Sequence, residues 1–201
     1  MIRRLFHWWI FYPAAVLVAA AVILFSLGPA LLPADPRPVA GRMDGRALVI
    51  EGADLAHPAA SPETMFYVAR NAAWAAEGLR VAVRPGLGAP QQDEAGTQVL
   101  LAPEAAVGLG PGPFRVEVHL APVPVTTAPQ LAIALDRGGA IEWRTVPVTA
   151  VTDVVRLDFP QDEAGMLLTG VGIRPVATLQ DYNYGVEIRS IRIIPTGPGA
   201  A

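Results

Sequence analysis

The stretch GVEIRSIRIIP (Gly185–Pro195) decides how the chain is read. Val186 and Ile188 alternate in one phase, with Glu187 between them, whereas Ile191 and Ile193 alternate in the other around Arg192. Successive side chains of a strand point to opposite faces, so a regular strand would send one of these apolar pairs into water. Keeping both pairs on a core face requires one extra residue near Arg189 and Ser190, that is, a β-bulge.

Working outward, the same period of two recurs between turn residues. Leu79, Val81 and Val83 alternate with Arg80, Ala82 and Arg84. Phe114, Val116, Val118 and Leu120 alternate with Arg115, Glu117 and His119. Val155, Leu157 and Phe159 alternate with Arg156 and Asp158. These are half-buried strands, and further candidates lie at 47–51, 65–70, 97–101, 130–136, 141–148, 170–174 and 184–194. Only 63–79 competes as helix, with one or two turns around Ala72 to Glu77. No long amphipathic helix separates the strands, which argues against a parallel sheet and for an all-β antiparallel sandwich or barrel of about 8–10 strands.

The N-terminal 32 residues have a different character. Arg3 and Arg4 precede the aromatic cluster Trp8, Trp9, Phe11 and Tyr12, and the run from Leu5 to Leu27 holds 23 residues without a charge. At about 1.5 Å per residue it spans about 34 Å, enough for a hydrocarbon core of about 30 Å. The expectation is a single transmembrane helix. By the positive-inside rule its N-terminus lies in the cytoplasm and the rest outside the inner membrane, in the periplasm. Arg3, Arg4, Trp8, Trp9 and Tyr12 are expected at the membrane interface, and Ala14, Ala15, Ala19, Ala21 and Gly28 are candidates for helix packing. A Pro-rich linker at 33–42, the folded domain at 43–195 and a tail at 196–201 complete the expected organisation.

Composition excludes several chemistries. All 15 basic residues are arginine and cysteine is absent, so a Schiff-base lysine, a thiol nucleophile, thiolate metal ligation and disulfides are excluded. From Asp35 onward 13 arginines face 18 acids, a balance of −5 that disfavours nucleic-acid binding.

The order PFRVEVHLAPV, PQLAIALD, IEWRTVPVT, VVRLDFP, GVGIRPV and YGVEIRSIRIIP, over about residues 110 to 195, resembles the galactose-binding-like jelly-roll sandwich of carbohydrate-binding modules. The resemblance implies a jelly-roll path, and such folds host sugar binding, protein docking and purely structural roles. The structural calcium frequent in that family is assigned to no residue here, although Glu51 and Asp54 fall near the corresponding place.

The catalytic inventory is thin. His7 belongs to the apolar entry, His57 to a loop and His119 to the polar face of a strand, while Ser61 and Ser190 lack a nucleophile context. The pairs Asp93–Glu94 and Asp162–Glu163 sit in turns, where neighbouring acids are solvated. The expectation is therefore a non-enzyme that needs no metal and no cofactor.

Aromatic residues offer the better signal, because indole and phenol faces stack on sugar rings and anchor protein interfaces. Trp74 in an alanine-rich connector and the loop Asp181, Tyr182, Asn183 and Tyr184 are the candidate binding residues, and Trp143 is assigned to the core because it shares the phase of Ile141. Arg80, Arg84, Arg115, Arg144 and Arg156 fall on outward strand positions, where Glu117, Glu142 and Asp158 suit cross-strand ion pairing. Two functions are expected as alternatives. One is a membrane-anchored module binding an envelope polysaccharide or a sugar-bearing partner. The other is an accessory subunit of a larger membrane protein complex, with the helix packed laterally and the sandwich capping the exterior.

Overall fold

The computed structural model describes residues 8–31, 35–84, 96–123, 126–161, 165–176 and 184–197, with side chains of the N-terminal helix described over 11–23. Two compact units result, Met1–Ala34 and Asp35–Ala201. The first holds the helix α1 (Trp8–Leu31), whose described residues are apolar and all exposed. Among the described residues no helix is long and apolar enough to cross a membrane.

The second unit is a β-sandwich. One sheet contains β1 (Arg42–Asp44), β2 (Ala47–Glu51), β3 (Thr64–Arg70), β4 (Ala76–Val83), β6 (Phe114–Ala121), β9 (Val154–Phe159) and β11 (Gly185–Pro195). The other runs in the order β5 (Thr97–Leu100), β10 (Gly170–Val176), β7 (Gln130–Arg137) and β8 (Ala140–Pro147). All pairings between these strands are antiparallel. From β4 onward the chain crosses between sheets at every connection except the β7–β8 hairpin.

The long strand β11 organises the first sheet. Its N-terminal half pairs with β4, its C-terminal half with β2, and its other edge with β6. The β6 register steps from Ile188 opposite Leu120 to Ser190 opposite His119, which leaves Arg189 as the extra residue. Val186, Ile188, Ile191 and Ile193 are consequently all buried. A second bulge lies nearby: Ala69 faces Gly78 and Arg70 faces Ala76, so Glu77 is unopposed in β4. The two unopposed residues meet, with Arg189 Nη1 3.2 Å from Glu77 Oε2.

Inward side chains of both sheets form one core. Leu79, Val116, Leu157 and Ile188 on one side meet Val99, Ile133, Leu135 and Ile173 on the other. A hydrogen bond of 2.7 Å between the Thr64 and Thr97 hydroxyls crosses this interior and satisfies two buried polar groups. Arg137 closes one end. It is buried, its guanidinium lies 5.8 Å from the Phe114 ring centre, and its Nη2 donates to the Pro160 carbonyl at 3.0 Å.

Four features differ from the sequence reading. The compact unit begins at Asp35 rather than Met43, because Val39 is buried, donates to the Leu100 carbonyl and accepts from the Ala102 amide. The residues around Ala72 are a turn leading directly into β4. A short helix α2 (Pro103–Leu109) intervenes before β6, with proline in its first turn and Ala105, Ala106 and Leu109 buried. Trp143 does not face the interior: the two-residue turn Gly138–Gly139 sets Asp136 opposite Ile141 and Ala134 opposite Trp143, while Leu135 and Ile133 face the core. Positive φ at both glycines, 65° and 99°, is what such a tight hairpin requires.

Candidate functional site

The β3–β4 hairpin tip is built around Asn71. Its side-chain oxygen accepts from the amides of Ala73 at 2.9 Å and Ala75 at 3.1 Å, its own amide donates to Ala75 O at 3.0 Å, and its carbonyl accepts from Trp74 N at 2.9 Å. Arg70 Nη1 adds a bond to Trp74 O at 2.8 Å. Together these bonds hold Trp74 at φ 63°, the one non-glycine residue with positive φ among the described residues. That region costs an L-residue about 1–2 kcal/mol, and for a bulky side chain it is an outlier. Trp74 is 75% exposed. The strain is thus imposed by the loop and is not offset by burial of the ring.

Tyr184 sits elsewhere. It is partly buried against the core, and its carbonyl accepts from Val83 N at 3.0 Å. Trp74 precedes the first residue of β4, whereas Tyr184 lies beside the last, so the two are separated by roughly 25 Å at about 3.3 Å per strand residue. The structure does not bring them together. Asp181, Tyr182 and Asn183 lie outside the described residues, as do Arg3 and Arg4. Trp8, Trp9 and Gly28 fall within α1 but beyond its described side chains, while Tyr12, Ala14, Ala15, Ala19 and Ala21 are exposed on it. With 3.6 residues per turn, Ala14, Ala21 and Gly28 share one face, and Ala15 and Ala19 lie about a third of a turn away.

The outer face of the β1–β2–β11 sheet is laid out as ion pairs. Arg115 Nε meets Asp158 at 2.8 Å, Arg156 meets Glu117 at 3.0 Å, and Arg192 meets Asp44 at 3.4 Å. The hydrogen bond from Arg115 holds the Asp158 carboxyl below its ordinary range, and the same contact raises the arginine. Burial, followed by the charge of Glu51, pushes Asp54 upward. Arg144 pairs with Glu142 at 2.7 Å, but in the inward phase of the edge strand β8, with its guanidinium 5.6 Å from the Phe159 ring centre. Ser190 lies between Glu51 and His119 across three strands. A proton relay needs the histidine between serine and acid, so this order does not make one. Among the described residues no group of three or more His, Asp or Glu is placed to hold a metal ion.

On the outer face of the four-stranded sheet, Gly170, Gly172, Ala132 and Ala134 form a buried small-residue floor. Arg174, 8% exposed, lies on that face with its guanidinium 4.3 Å from the Trp143 ring centre and 3.5 Å from Glu63. Sequence reasoning missed this cluster. Arg174 and Glu63 are remote in the chain, and the Gly138–Gly139 turn is the one signal from which the outward phase of Trp143 could have been found.

No family model matches the chain, and no curated protein does. Similar solved structures include the CBM22-1 and GH10 modules of Clostridium thermocellum endo-1,4-β-D-xylanase 10B complexed with xylohexaose, at TM-score 0.44 and 10% identity, covering 74% of this chain and 27% of that one. The apo BiXyn10A CBM1 structure gives TM-score 0.46 at 8% identity over 80% of this chain and 100% of its own. An exo-β-agarase gives 0.43 at 10% identity, over 78% and 24%. The chain therefore spans about a quarter of the first and third, and at these values the likeness assigns no ligand.

Proposed function

We propose that this chain is a non-catalytic recognition module, anchored in the inner membrane through residues 1–32, that binds envelope polysaccharide or a sugar-bearing partner through the hairpin tip at Trp74. The observation that carries the reading is the strained, exposed indole. A backbone outlier is retained when its geometry serves a purpose, and here the loop bonds hold the Trp74 backbone where its side chain stands out in solvent. An exposed indole face stacks on a sugar ring. The anchor reading rests on the charge-free run and on Arg3 and Arg4 before it. The accessory-subunit reading draws on Ala15 and Ala19, one turn apart on α1, where small residues permit close helix approach.

The test uses the full-length chain in mild detergent, co-sedimented with peptidoglycan sacculi and, separately, run through gels containing soluble exopolysaccharide. Binding to one of the two should weaken by about 5–30-fold in Trp74→Ala, the equivalent of about 1–2 kcal/mol for an aromatic contact. Unaltered binding in that variant, or no binding by the parent chain to either probe, refutes the glycan reading. Release of a co-purifying membrane protein by Ala15→Leu alone supports the accessory role instead.

A further inference from the structure

We propose that the free edge of β3 pairs with the same edge of a second copy, joining two sandwiches into a continuous sheet across a two-fold axis. β3 ends its sheet and pairs only with β4 among the described strands. Other edges carry features that discourage pairing. β1 has three residues, β8 carries Glu142, Arg144 and Pro147, and β9 carries Arg156 and Asp158. The outer edge of β5 is occupied by Ala59, which exchanges bonds of 2.7 and 3.0 Å with Gln98. From Thr64 to Ala69, by contrast, β3 reads TMFYVA, without charge, proline or glycine, and Met65 and Tyr67 are exposed.

The register says what fits there. Arg84 N donates to Glu63 O at 2.9 Å, marking 63 and 84 as a hydrogen-bonded pair. Alternation along an antiparallel ladder then directs the amides and carbonyls of Met65, Tyr67 and Ala69 toward β4 and leaves those of Phe66 and Val68 facing outward. A second β3 running antiparallel about Tyr67 sets Phe66 opposite the other Val68 and Tyr67 opposite the other Tyr67. It also sets Arg70, the strand's sole charge, opposite Thr64. No like charges meet. The two tyrosines fall at a non-hydrogen-bonded position, where side chains approach most closely and aromatic pairs stabilise the sheet. Each ring is already backed by Arg80, whose Nη1 donates to the Tyr67 hydroxyl at 2.9 Å and whose guanidinium lies 5.6 Å from the ring centre. The two Trp74 tips then lie at opposite ends of the seam. The proposal rests on the edge alone and stands or falls independently of what Trp74 binds.

Because the chain has no cysteine, one introduced thiol reports the pairing. Facing residues at the two-fold have Cα atoms about 4.5 Å apart, within the range a disulfide spans. Full-length Tyr67→Cys, oxidised in membranes with copper phenanthroline, should form a covalent homodimer at least about ten times faster than Arg156→Cys on the charged β9 edge. Tyr67→Lys in the otherwise native chain sets two like charges face to face and should convert a dimer to a monomer in density-matched sedimentation, with cooperative melting retained. Equal cross-linking rates in the two thiol variants overturn the proposal. So does cross-linking of Tyr67→Cys to a different polypeptide in place of itself, or a parent chain that sediments as a monomer.

Discussion

Ile188→Ala and Ile191→Ala should each destabilise the sandwich by about 2–5 kcal/mol, the range for truncating a buried isoleucine. The two residues stand in opposite phases of one strand, and both are fully buried because the bulge at Arg189 resets the alternation between them. An unbroken strand would leave one of them on the surface, where the same truncation costs less than about 1 kcal/mol. Arg189→Ala is the matching control. Arg189 is exposed and its bonds to Glu77 and Glu187 are surface ion pairs, worth about 0–1 kcal/mol. Denaturant melts of the three variants measure the contrast, and a small effect at either isoleucine contradicts the bulge.

Gly185→Ala should cost about 3 kcal/mol, at the upper end for overpacking, since a Cβ there would stand 2.5 Å from the Val81 carbonyl oxygen and 3.0 Å from the Ala82 Cβ. Both contacts come from the paired strand β4, so relief requires β11 and β4 to separate. On the other side, Gly185 donates to Thr126 O at 2.8 Å and accepts from Ala128 N at 2.9 Å, which limits retreat in that direction. Gly108→Ala is the instructive opposite. It lies in α2 with nothing within 4 Å of the added carbon, and alanine there should stabilise by up to about 1 kcal/mol. Thermal melts should separate the pair in sign.

What the sequence discloses about this fold follows the range of each signal. The alternation that placed β4, β6, β9 and β11 is local, and a one-residue break in it announced the bulge. Helix α2 escaped because seven residues with two alanines and a glycine show no usable period. Val39 escaped because proline-rich sequence indicates extended backbone but not the partner strand, which lies some sixty positions on at Leu101. The phase of Trp143 was legible in the adjacent Gly-Gly turn, where a two-residue loop determines register. The Arg174, Trp143 and Glu63 cluster was not, since it depends on residues brought together from three elements. At the hairpin, Trp74 was visible as a residue but its backbone was not, because the left-handed turn arises from Asn71 bonding to amides two and four positions away. That Trp74 and Tyr184 occupy opposite ends of β4 became evident only from the pairing.

The most direct test of the recognition account is binding of full-length Trp74→Gly to peptidoglycan sacculi and exopolysaccharide, with its melting curve as the check on folding. Glycine adopts positive φ without the steric cost that tryptophan bears, so this variant should be at least as stable as the parent and about 1 kcal/mol more stable than Trp74→Ala. Its binding should nevertheless fall by about 5–30-fold, because the exposed indole is gone. A Trp74→Gly chain that binds as tightly as the parent, or that loses more than about 1 kcal/mol of stability, would show that the strained tryptophan serves the fold rather than recognition.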